Sequence, residues 1–240
     1  MKILALESSS KAASAALLDD GNIIARTFQS TGLTHSRTLL PMTESMLRNC
    51  EVPLSAVDVF AVAAGPGSFT GLRIGIAAVK GLAWAEQKPC CPVSTLEGMA
   101  WNVAHMNMKI ICAMDARRNQ IYSSVFDSAD GRPVRLTPDR AIAAAALAEE
   151  LEGDGSPKVI VGCGAQICFD ALAAKGIPCS LAPRQLRLQD AAGVALAAYE
   201  LTQAGKTVSA DALLPTYLRP SQAERMRAIN KANNDKEQTP

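Results

Sequence analysis

The chain has 240 residues, and its 24 lysines and arginines nearly balance 23 aspartates and glutamates, for a formal net charge of +1. No broad basic field is therefore available to hold a nucleic acid, so any RNA contact needs a local patch or a partner. The candidates for such a patch are Arg117-Arg118 and, near the end of the chain, Arg219, Arg225 and Arg227. The seven cysteines form no C-x-x-C pair, which excludes the usual zinc and disulfide patterns. Four apolar residues before Glu7 are too few for a signal peptide, so we expect a cytoplasmic protein with no membrane segment.

The first hundred residues predict a three-stranded meander, a helix, a buried strand and a second helix. The turn Asp19-Asp20-Gly21-Asn22 is typical of a hairpin. Pro41 lies beyond the first turn of the first helix, a position that favours a kink. The predicted elements are strands 3–7, 13–18 and 23–28, helix 36–49, strand 57–64 and helix 70–86.

The same pattern recurs about a hundred residues later. Asp115 ends a strand as Glu7 does, and Gly131 occupies a turn that corresponds to the turn at Gly21. An internal repeat of this length predicts two related α/β lobes with a cleft between them. The predicted elements of the second half are strands 110–114, 121–126 and 159–161 and helices 141–151, 166–175 and 190–204.

A glycine-rich turn, Gly65-Pro66-Gly67-Ser68-Phe69-Thr70-Gly71-Leu72-Arg73-Ile74-Gly75, links the buried strand to the second helix. A P-loop requires Lys and then Ser or Thr after its second glycine, whereas Leu72 and Arg73 follow here. The dinucleotide fingerprint matches only weakly, because the third glycine, Gly71, comes one residue too late. A tight turn with close packing and no ligand is the alternative that the spacing leaves open.

Small residues recur on one face of helix 70–86, so a neighbouring helix can approach its backbone closely. That neighbour is either another part of this chain or a partner protein. We take this face and helix 36–49 as the candidate partner interface and assign no catalytic, metal-binding or cofactor-binding residue. The candidate interface residues are His35, Leu39, Thr43, Met46, Leu47, Gly71, Gly75, Ala78 and Leu82.

Several blocks, in order along nearly the whole chain, resemble the TsaB (YeaZ) family of the actin-like ATPase (ASKHA) superfamily. In this sequence Glu7 stands where an Asp is usual, and the tail after Arg219 is long. The matching blocks are Met1-Lys2-Ile3-Leu4-Ala5-Leu6-Glu7-Ser8-Ser9, His35-Ser36-Arg37-Thr38-Leu39-Leu40-Pro41, the glycine-rich turn, Pro92-Val93-Ser94-Thr95-Leu96 and Asp115-Ala116-Arg117.

The resemblance implies an α/β fold of two actin-like (ribonuclease H-like) lobes related by internal duplication. It implies a non-catalytic platform subunit for threonylcarbamoyl transfer to the adenosine next to the anticodon, in tRNAs that read codons starting with A. The implied partners are the catalytic homologue TsaD and the ATPase TsaE, with a homodimer when the chain is alone. Contact with tRNA is expected only through the complex, and no cofactor is implied.

The catalytic relative carries a His-x-Glu-Gly-His motif whose imidazoles bind a metal. The matching stretch here is Thr95-Leu96-Glu97-Gly98-Met99, in which Thr95 and Met99 replace both ligands. Neither a threonine hydroxyl nor a thioether substitutes for imidazole on a hard or borderline divalent metal. We therefore expect no metal-dependent catalysis.

Two enzymatic alternatives remain open on the sequence. One is a metal-dependent peptidase or acyl-transfer enzyme of the same superfamily, and the other is an ATP-dependent small-molecule kinase. Actin-like ATPases and sugar kinases place carboxylates where Glu7 and Asp115 stand, yet the turn Ser8-Ser9-Ser10-Lys11 lacks their glycine.

The predicted division is an N-terminal lobe, 1–107, a smaller C-terminal lobe, 108–220, and a polar tail, 221–240, that is disordered or loosely helical.

Overall fold

The computed structural model describes residues 1–219, so the predicted tail, 221–240, lies outside the described residues. Two β-sheets with helices packed on their faces form the described part. The strands are β1 Lys2–Glu7, β2 Ala13–Asp19, β3 Asn22–Gln29, β4 Val59–Gly65, β5 Cys90–Ser94, β6 Lys109–Asp115, β7 Gln120–Ala129, β8 Arg132–Arg135, β9 Arg140–Ala143, β10 Lys158–Val161 and β11 Cys179–Leu181. The helices are α1 His35–Asn49, α2 Phe69–Glu86, α3 Thr95–Val103, α4 Ala144–Glu150, α5 Ala165–Ala174 and α6 Ala191–Gln203.

The two sheets have the same topology. The first has the order β3-β2-β1-β4-β5, with antiparallel β1–β2 and β2–β3 pairs and parallel β1–β4 and β4–β5 pairs. The second has the order β8-β7-β6-β10-β11 with the matching directions, and β9 pairs in addition with β7. The predicted internal duplication and the two-lobed α/β class are therefore confirmed.

Both lobes make the predicted hairpin in the same way. Asp20 and Gly21 have φ angles of 44° and 82°, and Asp130 and Gly131 have 54° and 73°. Positive φ at both central residues is what a two-residue turn needs to match the twist of its strands, and Asp-Gly adopts it readily. The turn chemistry is thus repeated along with the topology.

Helices cover the first sheet on both faces. The central strand β1 sends Leu4 and Leu6 into the core beneath α1 and α2, while Ile3 and Ala5 point into the opposite core beneath α6. Successive side chains of a strand point to opposite faces of the sheet, so β1 is apolar throughout because both of its faces are buried. α6 packs on the first sheet, although the predicted division assigned it to the second lobe.

The second sheet has α4 and α5 on one face, while α3 packs against its other face. The predicted helix 141–151 is wrong in its first residues, because Ala141 and Ile142 pair with Tyr122 and Ile121 of β7 as strand β9. Pairing with an existing strand overrides alanine's helix propensity there, and α4 begins only at Ala144. None of the helices among residues 1–219 is long and apolar enough to cross a membrane.

A segment without regular structure, residues 206–219, follows α6 and returns along the first lobe. Val208 exchanges backbone hydrogen bonds with Cys90 of the edge strand β5, and Leu213 is fully buried in the core beneath α1 and α2. The Thr216 N–H donates to the Ala64 carbonyl at 2.7 Å. We call this segment the C-terminal strap, and it ends beside the cleft between the lobes.

Candidate functional site

A cleft of about 600 Å³ lies where the two lobes meet. Residues of both lobes and of the strap form its walls. Four short segments supply most of the lining, namely 9–11 after β1, 66–70 at the start of α2, 114–117 at the end of β6, and 216–219 of the strap.

The glycine-rich turn packs against the chain's own first turn. A Cβ atom at Gly71 would lie 2.1 Å from the Ser8 carbonyl oxygen, and one at Gly67 would lie 2.6 Å from that of Ser9. At Gly75 the obstacle is the Ser8 Oγ, 2.4 Å away. These glycines let α2 approach residues 8–9 closely, so the alternative of a tightly packed turn accounts for them.

Gly65 serves the strap in the same way. Its φ is 132°, and a Cβ atom would lie 2.2 Å from the Thr216 carbonyl oxygen. Ser68 then caps α2, since its Oγ accepts from the Gly71 N–H at 3.3 Å while its own N–H donates to the Ser9 carbonyl at 2.7 Å. The glycine-rich turn therefore brings together the turn after β1, the start of α2 and the C-terminal strap.

Glu7 ends β1, two residues before the cleft-lining Ser9, and is 1% exposed. Burial and, to a smaller extent, the nearby Asp190 charge raise the pKa of its carboxyl to about 7, although hydrogen bonding from Ser9 lowers it. The Ser9 N–H donates to Glu7 Oε1. The turn that follows β1 therefore holds the Glu7 carboxyl in place.

The corresponding turn of the second lobe is built differently. Arg117, Arg118 and Asn119 have φ angles of 66°, 56° and 57°, so three successive residues without glycine are left-handed. Asp115 Oδ1 accepts from the Arg117 N–H at 2.7 Å, and the Ala116 N–H donates to the Gln120 carbonyl at 3.0 Å. The turn therefore projects Arg117, whose side chain is 85% exposed, at the edge of the cleft.

An aromatic stack stands at the cleft mouth. The rings of Phe69 and Tyr217 are 4.6 Å apart and inclined by 22°, and the Arg73 guanidinium lies 3.9 Å from the Phe69 centroid. Arg73 Nε also donates to Tyr217 Oη at 3.1 Å. The stack fixes the end of the strap against the start of α2.

Thr95 and Met99, which the resemblance placed at two metal-ligand positions of a catalytic homologue, belong to the core here. Thr95 and Met99 are 0% and 1% exposed, and Met99 packs among the apolar side chains between α3 and the second sheet. Glu97 Oε2 accepts from Arg135 Nη2 at 2.9 Å, and Arg135 also pairs with Asp139. Within residues 1–219 no three His, Cys, Asp or Glu side chains form a possible metal-ligand set.

The candidate interface residues need a correction. Leu39, Thr43, Met46 and Leu47 are buried in this chain's own core, and so are Gly71 and Gly75. His35, Ala78 and Leu82 are half-buried. The helical periodicity identified the face that packs on the sheet, so the buried members present nothing to a partner.

The outward faces of α1 and α2 are formed by other residues. On α2 the exposed stripe is Arg73, Ala77, Gly81 and Trp84, and Trp84 is 77% exposed. On α1 Leu40 is 46% exposed. This stripe was not predicted although it also repeats every three or four residues, because small residues such as Ala77 and Gly81 occur on both faces of α2 and do not tell which face is turned inward.

The end of the strap also belongs to the site. Arg219, one of the residues named from the sequence as a candidate for RNA contact, donates from Nη1 to the Ala116 carbonyl at 2.9 Å and so connects the strap to the second lobe. Its place beside the cleft was not predicted, because no periodicity within residues 206–219 indicates where an irregular segment returns to the fold.

Known proteins similar to this chain match it along most of its length. The family model described as TsaD, tRNA N6-adenosine threonylcarbamoyltransferase, matches residues 29–225. The tRNA threonylcarbamoyladenosine biosynthesis protein TsaB of Bacillus subtilis is 31% identical over 228 residues, covering 93% of this chain and 96% of the relative. TsaB of Escherichia coli is 30% identical over 222 residues, covering 91% and 95%.

A solved structure described as YeaZ from Pseudomonas aeruginosa superposes with a TM-score of 0.79 at 28% identity, covering 90% of this chain and 99% of that one. The tRNA N6-adenosine threonylcarbamoyltransferase of Chlorobaculum tepidum is 29% identical, but over only 40% of this chain and 31% of the relative. The YeaZ structure shares the two-lobed fold of this chain, and the TsaB relatives match it over nearly their whole length. The chain belongs to the TsaB (YeaZ) family of tRNA threonylcarbamoyladenosine biosynthesis proteins.

Proposed function

We propose that this protein is a non-catalytic subunit in the synthesis of threonylcarbamoyladenosine in tRNA. It dimerises with TsaD, recruits the ATPase TsaE and supports transfer of the threonylcarbamoyl group by TsaD. The modified adenosine lies next to the anticodon of tRNAs that read codons starting with A. The family to which the chain belongs supports the pathway.

One observation carries the non-catalytic assignment. Thr95 and Met99 occupy the two imidazole positions of the catalytic relative, and both are buried in the core. The remaining acidic residue of that motif, Glu97, forms an ion pair with Arg135. A thioether and a hydroxyl are poor ligands for the divalent metals that imidazole binds, and a carboxylate held by a guanidinium is a weak competitor for a cation.

The isolated protein tests this assignment against the peptidase or acyl-transfer alternative. We expect no stoichiometric divalent metal by elemental analysis and no metal-dependent turnover of peptide or threonylcarbamoyl donors. Activity should appear when TsaD, TsaE, the donor and tRNA are supplied together. Stoichiometric metal together with turnover by the chain alone would support the enzymatic alternative instead.

The kinase alternative has its own test. The cleft is of a size for a nucleotide, but residues 8–9 pack directly on the glycine-rich turn and leave no glycine at the first-lobe turn for a phosphate to approach. We expect titration calorimetry with ATP and Mg²⁺ to show weak binding or none. Binding in the micromolar range with turnover of a small hydroxyl compound would establish a kinase.

The outward face of α1 and α2 is the surface that we propose for TsaD. We call this surface the α1/α2 face. It is formed by Ala77, Gly81 and Trp84 of α2, by Leu40 of α1 and by Leu33, which precedes α1. Exposed aromatic and leucine side chains beside small residues allow helices to pack at close range. The same face, being self-complementary around a two-fold axis, serves the homodimer when TsaD is absent.

Gly81 gives a selective probe of this face. A Cβ atom there meets nothing within 4 Å and its φ is not positive, so Gly81→Arg is tolerated by the fold. The matched control is Gly155→Arg, at an equally open glycine of the second lobe. Gly75 is unsuitable, because any side chain there collides with Ser8.

We expect Gly81→Arg to abolish co-elution with TsaD and, in the isolated protein, to abolish the homodimer measured by light scattering. Gly155→Arg should leave both complexes intact. The reason is that a buried charge without a partner costs several kcal/mol in an interface of standard size. Equal behaviour of the two variants, with both fully dimeric, would place the partner surface elsewhere.

A further inference from the structure

Five cationic side chains surround the cleft mouth. Lys11, Arg117 and Arg219 line the cleft itself, Arg118 is exposed beside Arg117, and Arg73 stands on the aromatic stack. We call this set the basic rim. Its members come from the first-lobe turn, the second-lobe turn, α2 and the strap, so the fold assembles it from distant parts of the sequence.

The charge of the rim is not balanced locally. The nearby carboxylates are Asp115, which pairs with Arg117 at 3.6 Å, and the buried Glu7, whose pKa is about 7. In the rest of the chain 19 lysines and arginines face 21 carboxylates. A chain that is nearly neutral overall therefore concentrates positive charge at one place, which focuses the field for an anionic partner.

The second-lobe turn holds its arginines outward at an energetic cost. Left-handed backbone costs roughly 1–2 kcal/mol at an arginine, and Arg117 and Arg118 both adopt it, followed by Asn119, which tolerates it better. Asp115 Oδ1 accepts from the Arg117 N–H and the Gln120 carbonyl accepts from the Ala116 N–H, and both bonds hold this conformation. Strain that the surrounding structure maintains is typical of functional turns.

The chemistry of the rim fits a nucleic acid better than an acidic protein surface. Guanidinium groups bind phosphates in a planar, bidentate manner, and exposed aromatic rings beside them are characteristic of RNA-binding surfaces. Tyr217 is 38% exposed at the mouth of the same cleft.

We propose that the basic rim binds the phosphate backbone of tRNA directly when this chain is assembled with TsaD. This inference rests on the proposed function, because it deepens the way in which the complex meets its RNA substrate. Arg117 and Arg118 make the outermost phosphate contacts, and Lys11 and Arg219 extend the binding surface into the cleft.

The double variant Arg117→Asn/Arg118→Asn tests the rim without disturbing the turn. Asn tolerates the left-handed conformation better than Arg does, so the backbone is retained while two charges are removed. The control is Arg132→Asn, since Arg132 is exposed on the β7–β8 hairpin and does not line the cleft. The measurement is the affinity of the purified complex with TsaD for a tRNA that reads a codon starting with A, over a series of salt concentrations.

We expect the double variant to bind this tRNA on the order of tenfold more weakly and to lower the slope of log K against log salt by about 1 to 2, as expected for one or two lost phosphate contacts. Arg132→Asn should leave affinity and slope unchanged. Unchanged tRNA binding by an intact double-variant complex overturns the rim proposal, and so does a defect confined to TsaE recruitment, which would assign the rim to a protein. Failure of the wild-type chain to assemble with TsaD would instead refute the proposed function.

Discussion

Replacing Gly71 with alanine forces the start of α2 away from the first-lobe turn. The new Cβ atom would lie 2.1 Å from the Ser8 carbonyl oxygen, roughly 1 Å inside van der Waals contact, and the obstacle is backbone rather than a flexible side chain. Ser8 Oγ also donates to the Gly71 carbonyl at 2.9 Å, so the contact cannot relax without losing a buried hydrogen bond. We expect overpacking to cost about 2–3 kcal/mol, against a gain in helix propensity of about 0.5–1 kcal/mol.

Gly81→Ala in the same helix is the matched control. A Cβ atom there has nothing within 4 Å in the single chain. At a protein concentration low enough to exclude the homodimer, only the helix-propensity gain of about 0.5–1 kcal/mol applies, and the variant should be more stable than the wild type. The two variants should therefore differ by about 2–3 kcal/mol. For a chain of this size that is a separation of about 4–12 °C in Tm.

Urea unfolding followed by circular dichroism, with Tm as a second measure, checks this difference. Gly71→Ala should unfold at lower urea concentration than the wild type, and Gly81→Ala at higher concentration. Equal stability of the two variants would refute the claim that the glycine-rich turn exists to let α2 pack on residues 8–9.

Three further predictions concern single residues in the described structure. The folded-state pKa of Glu7 is raised to about 7 from its unfolded value of about 4.5, so its contribution to stability is complete below pH 4.5 and is lost as the pH rises through about 7. Glu7→Gln should remove this decline of roughly 3 kcal/mol in the free energy of unfolding, measured with urea at pH 5 and pH 8. An unchanged decline in the variant would contradict the assignment to Glu7. Arg135→Met should destabilise by about 1–3 kcal/mol because it leaves both Glu97 and Asp139 without their cation, and a loss below about 0.5 kcal/mol in the same assay would show that the pairs are screened. Leu213→Ala should cost about 2–5 kcal/mol while Leu214→Ala, two-thirds exposed, should cost less than about 0.5 kcal/mol, and similar thermal stabilities of the two would show that the strap is not part of the core.

The architecture was predictable because the sequence repeats local signals whose meaning does not depend on distant contacts. Asp20-Gly21 and Asp130-Gly131 specify the same turn in each lobe, and both turns form. The predicted strands lie within about two residues of the observed ones, except that β7 continues three residues beyond its predicted end, and β5 was not predicted. The helix at 141–151 failed where strand pairing with β7 competed with alanine's propensity.

The site was predictable only in part. Helical periodicity indicated the faces of α1 and α2 that contain Leu39, Met46, Gly71 and Gly75, but it could not tell whether this chain or a partner covers them. Arg117-Arg118 and Arg219 were named from the sequence as candidates for RNA contact, but their assembly with other cations into the basic rim was not predicted. That assembly depends on where the strap returns, since Arg219 bonds to Ala116 about a hundred positions away, and on a left-handed turn that arginine disfavours.

The central claim is that this protein acts in tRNA modification by binding a partner through the α1/α2 face. It is tested most directly by nucleoside mass spectrometry of tRNA from cells in which the chromosomal gene carries Gly81→Arg or Gly155→Arg. The account predicts that threonylcarbamoyladenosine falls to a small fraction of the wild-type level with Gly81→Arg and stays normal with Gly155→Arg. Normal levels with a Gly81→Arg protein that is folded and expressed would contradict it.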